Sequence, residues 1–443
     1  MSQIAFPHSI NMQNPMQKAF GILSISVLLT SLIILPVASA FSRLEVGSFA
    51  GMNINVRFLL LLISSLNAFA VVLLSYTGHL PKILLGFIGF VLIGFLVAVI
   101  NQLPVRWWFP SSLRWMTAIF FCLGSLQFNS SRIPHPHLFA KAVVVALIIP
   151  MGYGLLQIAL GLAPFMNGAY RTTGTLNQSP LGFALFLSGI SLFLLSNQRI
   201  GFVRFSVFVL AFLLIITTHS RLVVIATILA LVLLVWQQNR RFMMLGFLVL
   251  LFSFTLISPV VIDQLVGRFL VLFTIDNNIL QQAPVYATRY QWTIQGVDNS
   301  TLLRIQTHFI GWRAWLEAPF WGHGLGSFVP IYEMATKRPD IAAHNDYLLY
   351  LVETGVFGLL LYVYLQLALL DTLLRKSKLK NYPEYFFVTA TGISYLTINV
   401  FSFLSNAYYF FEVQLWIWAA IGLSLGLINN YKRLLLNQVD AKL

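Results

Sequence analysis

Apolar runs of about twenty residues alternate with short polar connections along the chain, from Ala19 to Ile428. A helix rising 1.5 Å per residue needs roughly 20 such residues to cross the hydrocarbon core of a bilayer. The pattern predicts helices over 19–40, 58–76, 83–100, 112–128, 139–163, 181–196, 200–218, 221–236, 242–260, 346–369, 386–404 and 411–429. Lipid offers the backbone no hydrogen bonds, which favours helices over the weakly alternating strands of a barrel. The expected fold class is therefore all-α, a polytopic transmembrane helix bundle of about 12 helices with one long extracytoplasmic loop. Residues 1–260 would hold the first nine helices, 261–345 the large periplasmic loop with the candidate motifs, and 346–443 the last three helices and a cytoplasmic tail. No internal repeat or low-complexity tract interrupts this order.

Composition supports the membrane reading. Of 443 residues, 58% are hydrophobic and 9% charged, against about 25% charged in soluble domains. The net charge of +14 does not point to nucleic acid, because the basic residues stand singly or in pairs between apolar runs, with one short cluster at Arg375, Lys376, Lys378 and Lys380. With the N-terminus inside, fifteen Lys and Arg fall in cytoplasmic segments and six in short outer loops. The positive-inside rule then places the long loop outside. Cys122 is the single cysteine, so neither an internal disulfide nor a cysteine-based metal site is available. Val37-Ala38-Ser39-Ala40 looks like a signal cleavage site, but the apolar run before it is long and a retained first helix is expected.

No Asp or Glu occurs between Glu45 and Asp263. Ion-coupled transporters commonly use intramembrane carboxylates, so the first nine helices lack that machinery, although Glu353 and Glu412 remain. Three polar stations instead lie at the outer ends of inward-running helices: Arg171 to Pro180, Thr218-His219-Ser220-Arg221, and His344-Asn345-Asp346. Asn345 or Asp346 suits a helix N-cap. Helix N-termini with nearby arginines form an anion site suited to phosphate. Plainer readings stand beside these: Arg221 snorkelling to an interface, Arg171 in a simple turn, and His344 as a satisfied surface histidine. The loop adds Arg304 and His308, four apart and so on one face of a helix. It also holds Pro319 and the turn Gly322-His323-Gly324-Leu325-Gly326, where glycines permit close backbone approach to a ligand. No strand–helix unit surrounds that turn, so a nucleotide fold is not expected.

The ordered set resembles the O-antigen ligase and polymerase superfamily of bacterial cell-envelope glycosyltransferases. The resemblance runs from Arg171 to Gly358. It rests on Arg171, Gly174 and Thr175, then Ser220 and Arg221, then Arg304, Pro319, Gly322, Gly324, Gly326 and Phe328, and finally His344, Asn345, Glu353 and Gly355. Asn177-Gln178-Ser179-Pro180 replaces the more usual Asn-Pro-Asn, and His308 stands where many members have Trp. The resemblance implies transfer of a glycan from undecaprenyl diphosphate without metal or cofactor, in the bacterial inner membrane with the site facing the periplasm. His344 would be the general base, and Arg221, Arg304, Arg171 and, more weakly, Arg289 would hold the donor diphosphate. Asn345, His308, Gly324, Gly326 and Glu353 would support them. The leading expectation is an O-antigen ligase acting on lipid A–core as acceptor. The alternatives are a polymerase joining repeat units, a protein oligosaccharyltransferase, and, from a different class, a polysaccharide-lipid flippase.

Overall fold

The structure, a computed structural model, describes residues 28–34, 45–49, 52–75, 80–126, 135–166, 169–175, 180–195, 201–218, 220–238, 299–337, 342–375, 385–403, 405 and 410–440. The predicted span 242–260, most of 19–40, and Arg289 lie outside them. Ten of the twelve predicted segments are present as α1 (Val56–Ser75), α2 (Lys82–Ile100), α3 (Val105–Leu126), α4 (His135–Ala159), α5 (Pro180–Ser191, continued by a 3-10 turn over Leu192–Leu195), α6 (Phe202–Thr217), α7 (Arg221–Gln238), α10 (Asp346–Leu374), α11 (Tyr385–Ser402) and α12 (Phe411–Asp440). Among the described residues, four stretches are long and apolar enough to cross a membrane: Lys82–Ile100, Leu138–Ala159, Asp346–Leu374 and Glu412–Tyr431.

Two features depart from a bare helical bundle. Small antiparallel hairpins, β1 (Glu45–Phe49) with β2 (Met52–Asn55) and β3 (Phe165–Met166) with β4 (Ala169–Tyr170), fill short connections. The second part of the predicted long loop is itself helical, as α8 (Asn299–Glu317) and α9 (Phe328–Thr336).

Helix α2 shows why these segments form helices in lipid. Leu84, Phe87, Val91, Gly94 and Ala98 recur at helical spacing and are buried. Leu85, Leu92, Leu96 and Val99 lie on another face, each about half exposed. Both faces are apolar, as a lipid-facing helix requires and a water-facing one does not. The inward face meets α10 in antiparallel fashion: a Cβ on Gly86 would strike Leu365, and one on Gly94 would meet Thr354 and Leu325. The ends of α2 and the starts of α3 and α10 therefore share one end of the bundle.

An aromatic hub locks this core. Phe87 and Trp418 meet edge to face at 4.9 Å, Phe90 meets Trp115 at 5.7 Å, and Phe90 meets Tyr350 at 5.5 Å. Each such pair contributes about 0.5–1.5 kcal/mol beyond burial, and together they tie α2, α3, α10 and α12. A second, smaller core of Ala314, Phe328, Tyr332, Ala343 and Val352 joins α8 and α9 to the start of α10. Tyr332 donates to Gln306 Oε1 at 2.9 Å across it.

Candidate functional site

Helix α10 is broken at Gly355, where φ is 65° and ψ is −172°. A break in a buried helix frees carbonyls and amides that must find partners. Residues 319–324 supply them. His323 N–H donates to the Val352 carbonyl at 2.9 Å and Gly324 N–H to that of Glu353 at 2.7 Å. On the other side of the break, Val356 N–H donates to the Pro319 carbonyl at 2.9 Å and Phe357 N–H to that of Phe320. The loop is thus spliced into the helix. Gly322, Gly324 and Gly326 all take positive φ, and a Cβ there would run into the backbone of Thr354–Gly355, Ala98 and Trp107 respectively. The close approach expected from those glycines is made to the protein's own backbone.

Glu353 completes the splice. The residue is 4% exposed, and its carboxyl group accepts from the backbone N–H groups of Gly326 and Phe328. Phe328 opens α9, whose N-cap Ser327 makes no side-chain cap hydrogen bond. The Glu353 carboxyl group therefore serves an orphan amide at the N-terminus of α9.

Beside this rigid corner lies the start of α10. His344 sits in the left-handed region at φ 55°, uncommon for a residue with a Cβ. Asn345 follows in extended conformation and caps the helix, its Oδ1 accepting from Leu348 N–H at 3.0 Å. Helix α8 places Arg304 and His308 one turn apart on one face, and Gly311 lets that helix approach Leu348 closely. Arg304, His308 and His344 are thereby gathered. Burial, then the charges of Arg304 and His308, push the His344 pKa down to about 4. His308 keeps an exposed edge, yet burial of the rest of its ring and Arg304 hold its pKa below the usual histidine value. His344 is consequently a neutral acceptor across the physiological range, with a cationic guanidinium nearby.

A second group forms around Arg171. Gln157 near the end of α4 accepts from Thr173 and Gly174 N–H, both at 3.0 Å, and donates to Thr173 Oγ1. Thr172 N–H donates to the Thr217 carbonyl at 3.3 Å. The turn at Arg171 is therefore fastened to the end of α6, directly before Thr218 and Ser220. Gly174, at φ 53°, leaves room for Phe183. The first two polar stations meet laterally, which spacing alone did not establish. Arg221 begins α7, but its side chain, like all of Arg289, lies outside the described residues.

Sequence reasoning passed over Arg106, Arg114 and Gln414, which line a cavity against Glu353 at the same end of the bundle. The first two were counted only as loop charges. A Trp-Trp pair, Trp107 and Trp108, flanked by arginines at the mouth of a helix was the one available signal.

Residues 206–363, just over a third of the chain, match the model of the O-antigen ligase family. The matched segment holds Arg221, Arg304, His308, His344 and the Gly355 splice; Arg171 precedes it. This supports the superfamily resemblance read from the ordered motifs. Family members are membrane glycosyltransferase-like enzymes, ligases and polymerases. No curated protein matched the chain.

Proposed function

We propose, from the chain's place in the O-antigen ligase and polymerase superfamily, that it transfers a glycan from undecaprenyl diphosphate to an acceptor hydroxyl, as an O-antigen ligase acting on lipid A–core. The observation that carries this reading is the gathering of Arg304 and His308 around a neutral His344 at one end of an apolar helix bundle. His344 accepts the acceptor's hydroxyl proton as that oxygen attacks the anomeric carbon. The bond from that carbon to the diphosphate oxygen breaks, and the electron pair leaves with undecaprenyl diphosphate. Attack opposite the leaving group inverts the anomeric centre.

Arg304 and Arg221, with Arg171 and Arg289 behind them, bind the diphosphate and stabilise its growing charge, a role that metal ions fill elsewhere. Arg304 then has two effects. In the free enzyme its cation lowers the basicity of His344; once diphosphate neutralises it, His344 becomes a stronger base. A base works best with a pKa near the working pH, so donor binding itself raises the reactivity of the site. His308, Asn345, Gly324, Gly326 and Glu353 hold this geometry. The reading sets the site on the periplasmic face of the inner membrane.

A polymerase would share this chemistry and differ in acceptor. The test is transfer in reconstituted vesicles, with lipid-diphosphate glycan as donor and either lipid A–core or a second carrier-linked glycan as acceptor, with and without chelator. Chelator-resistant transfer to lipid A–core that collapses in His344→Ala is expected. Transfer only to the carrier-linked glycan reassigns the protein as a polymerase. Full activity in a folded His344→Ala variant removes the base, and absence of transfer to any acceptor returns the flippase reading.

A further inference from the structure

The splice at Gly355 can be set against the membrane by its contacts with α2. That helix has 19 residues, so at 1.5 Å per residue it rises about 28 Å, close to the roughly 30 Å hydrocarbon thickness of a bilayer. Thr354 and Leu325 pack at Gly94, and Gly324 packs at Ala98, within the last two turns before Ile100. Residues 319–324 and the break in α10 therefore lie at the edge of the hydrocarbon core, where Trp and Tyr gather in membrane proteins. Trp107 and Trp108, against Gly326, stand at the same edge.

An exposed apolar stripe crosses this edge. On α10, Phe357, Leu360, Tyr364 and Leu367 follow helical spacing and are each more than half exposed. Next to them, Phe320 stacks on Phe357 at 5.8 Å and Trp321 meets Phe357 at 5.4 Å. Phe320 and Trp321 are more than half exposed too, as are Trp312 and Leu316 on α8. Helix α8 runs beside the start of α10 in the same direction: Gly311 meets Leu348, and the Pro319 carbonyl accepts from Val356 N–H. Its C-terminal end therefore descends toward the lipid. Farther from the splice, the Arg313 guanidinium lies 5.8 Å from the Phe309 ring centroid, a cation on an apolar stem suited to headgroup phosphates.

Such a face meets water, a protein partner or lipid. Water is disfavoured, since contiguous exposed apolar patches mark interaction sites. A second copy seated on Trp312 and Leu316 would have to cover Phe357 and Leu360 as well, a surface that the membrane span of α10 gives to lipid. Continuity with that stripe selects the bilayer. We propose that the Trp312–Leu316 face of α8, with Phe320 and Trp321, is a membrane-interface anchor embedded in the leaflet at this end of the bundle. His308 and Arg304 lie one and two turns before Trp312 on the same helix, so the anchor fixes the height of the Arg304, His308 and His344 group just outside the leaflet. The inference rests on the membrane habit of the chain and not on glycosyl transfer.

Spin-label accessibility on the full-length protein, in vesicles of phosphatidylethanolamine and phosphatidylglycerol, tests this. Cys122, the single cysteine, is buried, so wild type sets the labelling background. Trp312→Cys, Leu316→Cys and Phe320→Cys place labels on the face at exposed positions, where folding is least at risk. Ala335→Cys is the aqueous reference: Ala335 is exposed on α9, three residues past Tyr332, which reaches Gln306 in the first half of α8. Molecular oxygen concentrates in acyl chains, and a nickel chelate stays in water. The oxygen-to-nickel relaxation ratio should be several-fold higher at the three face labels than at Ala335→Cys, and should rise from Trp312→Cys to Phe320→Cys. Nickel accessibility at Trp312→Cys and Leu316→Cys equal to that at Ala335→Cys overturns the anchor. Shielding from both reagents, with spin–spin broadening that disappears on dilution with unlabelled protein, overturns it too and assigns the face to a second copy. A lipid-exposed face in a protein that transfers no glycan keeps the anchor and removes only the glycosyltransferase reading.

Discussion

The splice at Gly355 and the entrance at His344 sit eleven residues apart in sequence, at the two ends of one short helical stretch, yet they are built on opposite plans. At the splice, every freed backbone group that the hydrogen bonds describe is met by backbone from residues 319–324, and the glycines touch only protein. At the entrance, the backbone is settled by one cap, and the ionisable side chains of Arg304, His308 and His344 stay only partly covered. Motif residues of equal prominence in sequence therefore divide into those that hold the chain together and those available to a substrate. A glycine-rich turn beside a candidate site is a support here, and the chemistry lies at the other end of the helical stretch.

The largest effect expected from this contrast is at the splice. Gly324→Val should abolish folded protein, because its Cβ would meet the Ala98 backbone at a φ of 99°. Loss of the monodisperse peak in detergent chromatography checks it; a normal peak would mean the loop is not locked into the bundle. His344→Ala should do the reverse, cutting transfer by roughly 10²–10⁴-fold while leaving the chromatographic peak and melting temperature near wild type. If both variants merely unfold the protein, the two plans are not distinct.

The pH profile sharpens the entrance further. The His344 pKa of about 4 in the folded state lies below the unperturbed value of about 6.5. The neutral form is thus the one that the fold favours. Its contribution to stability is present above the unfolded value and is lost as pH falls through about 4. The same shift puts the acidic limb of kcat/KM, which reports the free enzyme, near pH 4. The limb of kcat should lie higher, because bound diphosphate neutralises Arg304. In Arg304→Gln the two limbs should converge and the kcat/KM limb should rise toward the ordinary histidine value. Coincident limbs in wild type would remove the coupling.

The smallest expected effect is Asn345→Ala. Losing the N-cap costs about 1 kcal/mol, seen as a drop of a few degrees in melting temperature, with a partial loss of transfer because His344 precedes the cap. A large loss of transfer with no change in melting would give Asn345 a direct role at the substrate.

Much of this was legible in the sequence. Apolar runs marked ten helices within a few residues, except that α3 starts at Val105, seven residues before its expected span, and α12 continues past its own. Early Arg106, Trp107 and Trp108 are interfacial rather than apolar, so hydropathy undercounted a helix that continues beyond the lipid core. The four-residue spacing of Arg304 and His308, and the cap at Asn345, were also readable because both are local. The Gly-x-Gly-x-Gly turn was noticed but its contact was not, since close approach says that something comes near without saying what.

The sequence by itself determined the membrane habit, the helical segments and the order of the motifs, because each depends on neighbours within a few turns of the chain. Only the tertiary structure decided that residues 319–324 complete a broken α10, that Arg171 is fastened to Thr217, and that Arg106, Gln414 and Glu353 share a cavity. Those outcomes depend on partners tens to hundreds of residues away, where no local propensity reaches. They are set by which helices pack together, and a backbone group with no water to turn to must take the partner that packing provides.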